Sequence, residues 1–362
     1  MKVIILGAGS HGLSLAYHLL KEGVDVTLVE KGEVNHGSSG RNAGRFRYHF
    51  NSKQNIEYAK EAIPYLLSIC QELPLNPFCS RTGYLWILDE EEIERMKLLD
   101  SLWRSEGVGG EFIDCSQFSF LKEGKCYYAP QDGSFHHDYL SLGLYIEIAK
   151  MGGKLVRGEA LSFLTSGGKV VGVKTNNGEI EGDVIAVTLG AWTGEFMSRN
   201  GISLPIKPEK REIFITEGVK FRIKPLVIGN GFYFSQTLKG ELIGGADYAK
   251  EASGMDVSLI DAIDFISFIR RTVRNLDGVR LLRGWSGYYE ITPDHSHIMG
   301  FDPSWPEGLF VDAGYSGHGV MFSAYSGKVM SDVILGRRNK FLDVFSPSRF
   351  QMRRLLDENM VI

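Results

Sequence analysis

Val3-Ile4-Ile5-Leu6-Gly7-Ala8-Gly9-Ser10-His11-Gly12 is the stretch that decides how this chain begins to fold. The aliphatic run 3–6 reads as a buried strand and the glycines as a turn. Leu13, Leu15, Ala16, Leu19 and Leu20, closed by Gly23, then read as a helix. Gly7 permits the tight turn, Gly9 lets a pyrophosphate approach the backbone, and Gly12 lets the helix pack close to the strand, with Ser10 and His11 in the same turn. The anion would sit on the unpaired N–H groups of the helix start. A second apolar strand, 24–29, ends in Glu30, whose carboxylate suits ribose hydroxyls and repels a 2′-phosphate. Strand, glycine turn, helix, strand and terminal acid agree on an adenine-dinucleotide cradle. FAD and NAD share this fingerprint, and no second copy stands between a strand and a helix, which disfavours a flavoprotein with an NAD(P)H unit of its own.

Beyond Glu30 and Lys31, Gly37-Ser38-Ser39-Gly40-Arg41-Asn42-Ala43-Gly44-Arg45-Phe46-Arg47 is a small-residue loop with three arginines, able to lie close against a cofactor. Helical periodicity predicts helices at 54–72 (with a bend at Pro64), 90–106, 139–151, 258–276 and 320–335. Strands are expected at 82–88, 154–156, 169–174, 183–188, 212–216, 231–236, 241–244 and 309–312, with Asn177-Gly178 marking a hairpin. Strand 183–188 runs into Leu189-Gly190-Ala191-Trp192. This order predicts an α/β chain. A Rossmann-type dinucleotide-binding domain is built from 1–50, 131–205 and 280–362, interleaved with an antiparallel-sheet substrate domain from 51–130 and 206–279.

With 362 residues, 43% of them hydrophobic, the chain can bury two lobes without covalent staples. A net charge of -4 gives no global basic field, so nucleic acid or an anionic membrane is not expected as the main partner. Cys70, Cys79, Cys115 and Cys126 form no CxxC pair and no metal-ligand spacing, so no metal is expected. They read as buried thiols in a reducing cytosol, with a Cys115–Cys126 disulfide as the alternative. The apolar start is too short for a signal peptide, and no run reaches the ~18 residues of a membrane span, so the expectation is a cytoplasmic protein without an integral membrane segment.

Four further stretches carry a family resemblance: Arg47 with Phe50-Asn51; Thr82-Gly83-Tyr84-Leu85; Gly284-Trp285-Ser286-Gly287-Tyr288-Tyr289 followed by Thr292-Pro293-Asp294; and Gly314-Tyr315-Ser316-Gly317-His318-Gly319. With the N-terminal fingerprint, they make the chain resemble the D-amino-acid-oxidase-like FAD-dependent oxidoreductases, in the sarcosine oxidase, glycine oxidase and L-proline dehydrogenase branch. Its likeness is greatest to the β subunits of archaeal dye-linked L-proline dehydrogenases. The resemblance implies a glutathione-reductase-like FAD domain, with adenosine along Gly7 to Glu30 and the isoalloxazine between the lobes. It also implies cofactor contacts at Lys31, Ser38, Ser39, Asn42, Val156, Gly190, Trp192, Gly287, Gly314, Gly317, Gly319, Val320 and Met321. Arg41 and Arg45 would touch pyrophosphate or the flavin face, or be surface charge. The helix start near Gly319 would stabilise negative charge on reduced flavin by ~0.3–2 kcal/mol. His318 either helps or merely fills the turn.

By the same resemblance Arg47 holds the substrate carboxylate, for which a guanidinium fork is suited. Tyr289 either lies near the substrate or is a core tyrosine. No strong general base is needed where an amine is oxidised by hydride transfer. Gly287 stands where monomeric sarcosine oxidases tether the flavin through cysteine, which implies noncovalent FAD. Met321 stands where they carry the lysine that activates dioxygen, which implies another electron acceptor. His137 falls where heterotetrameric sarcosine oxidases hold a covalent FMN at a subunit boundary; the favoured reading is that His136 and His137 begin the following helix. Thr292, Asp294, His295 and His297 are read as a turn. The expected function is FAD-dependent dehydrogenation of a small amino acid with a secondary or cyclic amine, with a partner subunit or other acceptor taking the electrons. An amino-acid oxidase, a 2-hydroxy-acid or glycerol 3-phosphate dehydrogenase and a noncatalytic flavin-bearing subunit are the alternatives.

Overall fold

The computed structural model describes residues 1–248, 254–276 and 278–358; residues 249–253, 277 and 359–362 of the expected domain segments lie outside it. Lys2–Leu6 lies inside a six-stranded sheet. From one edge the order is Ile298–Gly300, Leu309–Ala313, Val184–Val187, Lys2–Leu6, Asp25–Glu30 and Lys154–Arg157. Every neighbouring pair is parallel except the first. Four of the five residues of Lys2–Leu6 are buried, as a parallel strand covered on both faces requires. On one face the helix Ser10–Lys21 packs against Gly319–Ile334. Gly327 makes that approach possible, since a Cβ there would collide with Ser14.

The second sheet has eight strands, in the order Leu281–Ile291, Lys207–Gly218, Glu241–Ala246, Phe232–Gln236, Leu226–Gly229, Tyr84–Leu88, Lys125–Ala129 and Glu111–Asp114. All its pairings are antiparallel except Leu226–Gly229 with Tyr84–Leu88. Leu281–Ile291, expected in the last segment of the dinucleotide domain, hydrogen-bonds along Lys207–Gly218 and so extends this sheet. The period-2 alternation of strands divides its residues between two cores. Leu85, Phe214, Val227 and Phe234 pack under the helix Leu259–Thr272 against Phe265 and Phe268. Tyr84, Arg211, Ile213, Leu226, Tyr233 and Tyr289 line a cavity on the opposite face.

Helix Lys53–Glu72 runs through Pro64 without interruption. A strand at Ala160–Ser166 completes the small meander with Lys169–Thr175 and Gly178–Glu181, where only the last two had been expected. The expectation of reduced thiols is corrected: Cys70 pairs with Cys79 and Cys115 with Cys126. The absence of a CxxC says nothing about such pairing, because each bond joins elements that the fold brings together. Cys70 lies in the last turn of helix Lys53–Glu72, bonded to Cys79 in the loop that follows, and Cys115 is bonded to Cys126 in the strand Lys125–Ala129. Among the described residues no helix is long and apolar enough to cross a membrane.

Candidate active site

The glycine turn is built as the spacing requires. Gly7 has φ +101°, a region that disfavours side chains, and a Cβ at Gly12 would collide with the Gly7 carbonyl oxygen. Gly9 caps helix Ser10–Lys21 without a side-chain bond, and the first turn carries no acid, which leaves the helix start suited to an anion. Ser39 Oγ accepts from Ser10 N at 3.0 Å, so the loop of Ser38 and Ser39 closes over the turn. Glu30, at its strand's end, accepts from Ala8 N at 2.9 Å and Gly32 N at 2.8 Å. Val156 pairs in register with Val29 beside it. On the other side Thr188 N donates to Leu6 O, and the chain turns at Gly190 (φ +56°) to Trp192, over whose ring Lys31 Nζ lies at 4.8 Å.

The His11 side chain is engaged within the fold. Its Nδ1 meets Asp312 Oδ2 at 3.2 Å and Ser326 Oγ at 3.1 Å, and its Nε2 meets Gly319 O at 3.0 Å. It ties helix Ser10–Lys21 to the turn that starts helix Gly319–Ile334. That turn is further held by Gly314 N donating to Glu290 Oε2 at 2.9 Å and by Tyr315 OH donating to Asp312 Oδ1 at 2.6 Å.

The cavity lies where this turn, the arginine loop and the second sheet meet. It is lined by Ser38, Arg41, Asn42, Arg45 and Arg47 from the loop, and by Gly317, His318, Val320 and Met321 from the turn and helix. The sheet adds Gly287 and Tyr289. Thus Arg47, Tyr289 and His318, far apart in sequence, share one chamber. Gly317 has φ +97°, and any side chain there would run into the Tyr289 ring. Arg47 stacks over Phe50, 4.7 Å from the ring centre, and Phe50 meets the His318 ring edge-on at 5.2 Å. Burial, then the charge of Arg47, pushes the His318 pKa well below its ordinary value, so the imidazole is neutral. Arg41 donates to His36 O and Ser286 O and packs against Gly287. Arg45 bonds Ser235 Oγ, and burial pulls its pKa down to about 10.

Arg211, Tyr233 and Tyr84 also line the chamber, and no role was read for them from sequence. The available signal was alternation: Arg211 and Ile213 share a face of one strand, and Arg211 stands opposite Gly287 in the ladder. Thr292, Asp294 and His295 do form a turn, outside the chamber: Thr292 Oγ1 donates to Ser296 O at 2.8 Å and His295 N to Thr292 O at 3.1 Å. His297 is stacked between Tyr315 and Phe345. His136 is the N-cap residue of helix His137–Lys150, and His137 Nε2 lies 3.5 Å from Asp138. Among the described residues no cluster suited to a metal ion occurs.

A glycine cradle at a helix start, an acid closing the second strand and a cationic chamber between two sheets coincide with a family match over residues 2–333, to the model described as FAD dependent oxidoreductase. The chain belongs to this DAO family. The sarcosine oxidase subunit beta of Rhodobacter capsulatus is 27% identical to it, over 99% of this chain and 90% of the relative. The glycine oxidase of Pseudomonas aeruginosa is 23% identical, over 93% of this chain and 95% of the relative. The crystal structure of L-proline dehydrogenase from P. horikoshii superposes with a TM-score of 0.91 at 26% identity, covering 98% of each chain. The family's cofactor, FAD, fits the residues present. The uncapped helix start suits its pyrophosphate, and both His318 nitrogens and Arg45 Nε are buried without a hydrogen-bond partner among the described residues, as groups facing a bound ring system are.

Proposed function

We propose that this DAO-family protein dehydrogenates a small amino acid with a secondary or cyclic amine, of the proline or sarcosine type, and passes the electrons to an acceptor other than dioxygen. The observation that carries this reading is the meeting of Arg47, Tyr289 and His318 in one buried chamber beside the Gly314–Gly319 turn. Bound FAD supplies the hydride acceptor at its N5. Ser38, Ser39, Asn42, Gly314, Gly319, Val320 and Met321 would hold it. The start of helix Gly319–Ile334 supplies positive potential that would stabilise the charge gathered by a reduced ring bound against it. Arg47 holds the substrate carboxylate, and Tyr289, rigid against Gly317, fixes the other side of the substrate. The neutral His318 adds a donor without adding charge.

Gly287 offers no nucleophile, which favours noncovalent FAD. Among the described residues no lysine lines the chamber, and Met321 occupies the wall, so the cation that would stabilise developing superoxide is lacking. The test is anaerobic addition of proline, sarcosine, glycine, D-amino acids and 2-hydroxy acids to the yellow holoenzyme, with peroxide measured in air. Bleaching by a secondary amino acid, with dye reduced far faster than dioxygen, is expected. Bleaching by hydroxy acids alone, or peroxide formed as fast as dye is reduced, would reject the reading. Arg47→Ala should raise KM strongly while FAD stays bound.

A further inference from the structure

The chamber carries more positive charge than one amino-acid carboxylate requires. Arg41, Arg45, Arg47 and Arg211 line it, and among the described lining residues there is no aspartate or glutamate. Buried charge is costly unless an anion answers it, so each guanidinium needs a counterpart. Arg41 is spent on two backbone carbonyls. Arg45 is bound to Ser235 Oγ on the facing sheet. Arg47 is assigned above to the carboxylate beside the amine. Arg211 remains.

Arg211 is 9% exposed and lies over Tyr289, its guanidinium carbon 4.9 Å from the ring centre. Its Nη1 meets Lys210 O and Glu209 Oε2, each at 3.3 Å. The Glu209 side chain is about a third exposed, at 32%, so solvent screens that pair. Arg211 Nε is buried with no hydrogen-bond partner among the described residues. A guanidinium lying over a phenol ring, with a buried N–H unmatched among the described residues, is half of a fork prepared for a carboxylate.

We propose that the chamber takes an amino acid with two carboxylates, Arg47 gripping the one beside the amine and Arg211 the second, carried on the side chain or on the nitrogen substituent. This rests on the amine-oxidising reading above and narrows its substrate class. Asp247 lies near both arginines but is not among the chamber's walls, and burial raises its carboxyl to about 7, so in neutral solution it offsets at most part of their charge.

Two inert thioethers test the claim in the holoenzyme: (methylthio)acetate, with one carboxylate, and thiodiacetate, with two. Flavin absorbance and the thermal midpoint report binding. A further charge-assisted contact should make the diacid bind about 10–100-fold more tightly. R211Q should bring the ratio of the two affinities toward one, and R211K should restore part of it. Equal affinities in the unaltered protein overturn the assignment without recourse to any variant. Anaerobic reduction by sarcosine, proline, N-(carboxymethyl)glycine and N-methylaspartate separates this claim from the one beneath it. Bleaching by sarcosine or proline with no advantage for the diacids overturns the two-carboxylate assignment and leaves amine oxidation standing, whereas no bleaching by any of the four overturns both.

Discussion

Asp294 and Arg349 form an ion pair sealed from solvent, with Nε 2.9 Å from Oδ2 and Nη2 3.0 Å from Oδ1. Arg349 also donates to Ser296 O at 2.7 Å and Phe345 O at 3.1 Å, and Leu356 N donates to Asp294 Oδ2 at 3.1 Å. The pair therefore fastens the C-terminal segment to the turn that leaves the second sheet. Removing one charge of such a pair strands the other in a dry interior, at a cost of about 3–5 kcal/mol. D294N and R349L are each expected to lower unfolding stability by that amount, and the double variant by clearly less than the sum. Chemical denaturation of the three variants measures it; additive losses would mean that the two residues do not act as a pair.

The two ends of this ion pair also mark where sequence reading stops. The turn at Asp294 was legible because Thr-Pro-Asp restricts the backbone locally, but the partner 55 positions later has no local signature. The same division runs through the fold. Strand Lys2–Leu6, its glycine turn and Glu30 were readable because a parallel strand is apolar throughout and each glycine answers a local steric demand. Arg211 and Tyr233 were not, because their importance comes from which face of an eight-stranded sheet looks into the chamber, a matter of register between distant strands. The Cys115–Cys126 pair was named only as the alternative to free thiols, and the Cys70–Cys79 pair escaped for the same reason as Arg211: spacing along the chain does not reveal that Cys70 and Cys79 come within a Cα distance of 6.4 Å.

Gly12 is the point where packing and cofactor binding meet. A methyl group there would press on the Gly7 carbonyl oxygen and come within 2.8 Å of Thr188 Oγ1, both parts of the rigid cradle. The helix start would have to lift from the strand, taking with it the N–H groups that suit a pyrophosphate. Gly12→Ala is expected to lose FAD affinity by at least 100-fold and to cost about 1–3 kcal/mol of stability by overpacking. Gly23→Ala serves as the contrast: it has no atom within 4 Å of a new Cβ but a φ of +76°, so it should lose stability while binding FAD normally. Titration of apoprotein with FAD, followed by flavin fluorescence, distinguishes the two; equal affinities would remove Gly12 from the cradle.

Asp247 should set the pH response of substrate binding. Burial pushes its carboxyl up to about 7, against the pull of Arg211 and Arg47. The other titratable groups whose fields it shares are Tyr233 and Tyr289, and burial raises both phenols, so they stay neutral throughout the working range. Because the folded carboxyl titrates above its ordinary 3.8, the fold favours the protonated form. Its stabilising share is complete below that ordinary value and is lost as pH rises toward about 7. Ionisation then sets a negative charge beside the two arginines that would grip an anionic substrate. KM should therefore rise, by about tenfold, as pH passes from 6 to 8, a loss of roughly 1.4 kcal/mol of binding. Asp247→Asn should flatten both the KM profile and the decline of the thermal midpoint between pH 4 and 7. An unaltered KM profile in that variant would assign the pH response to another group.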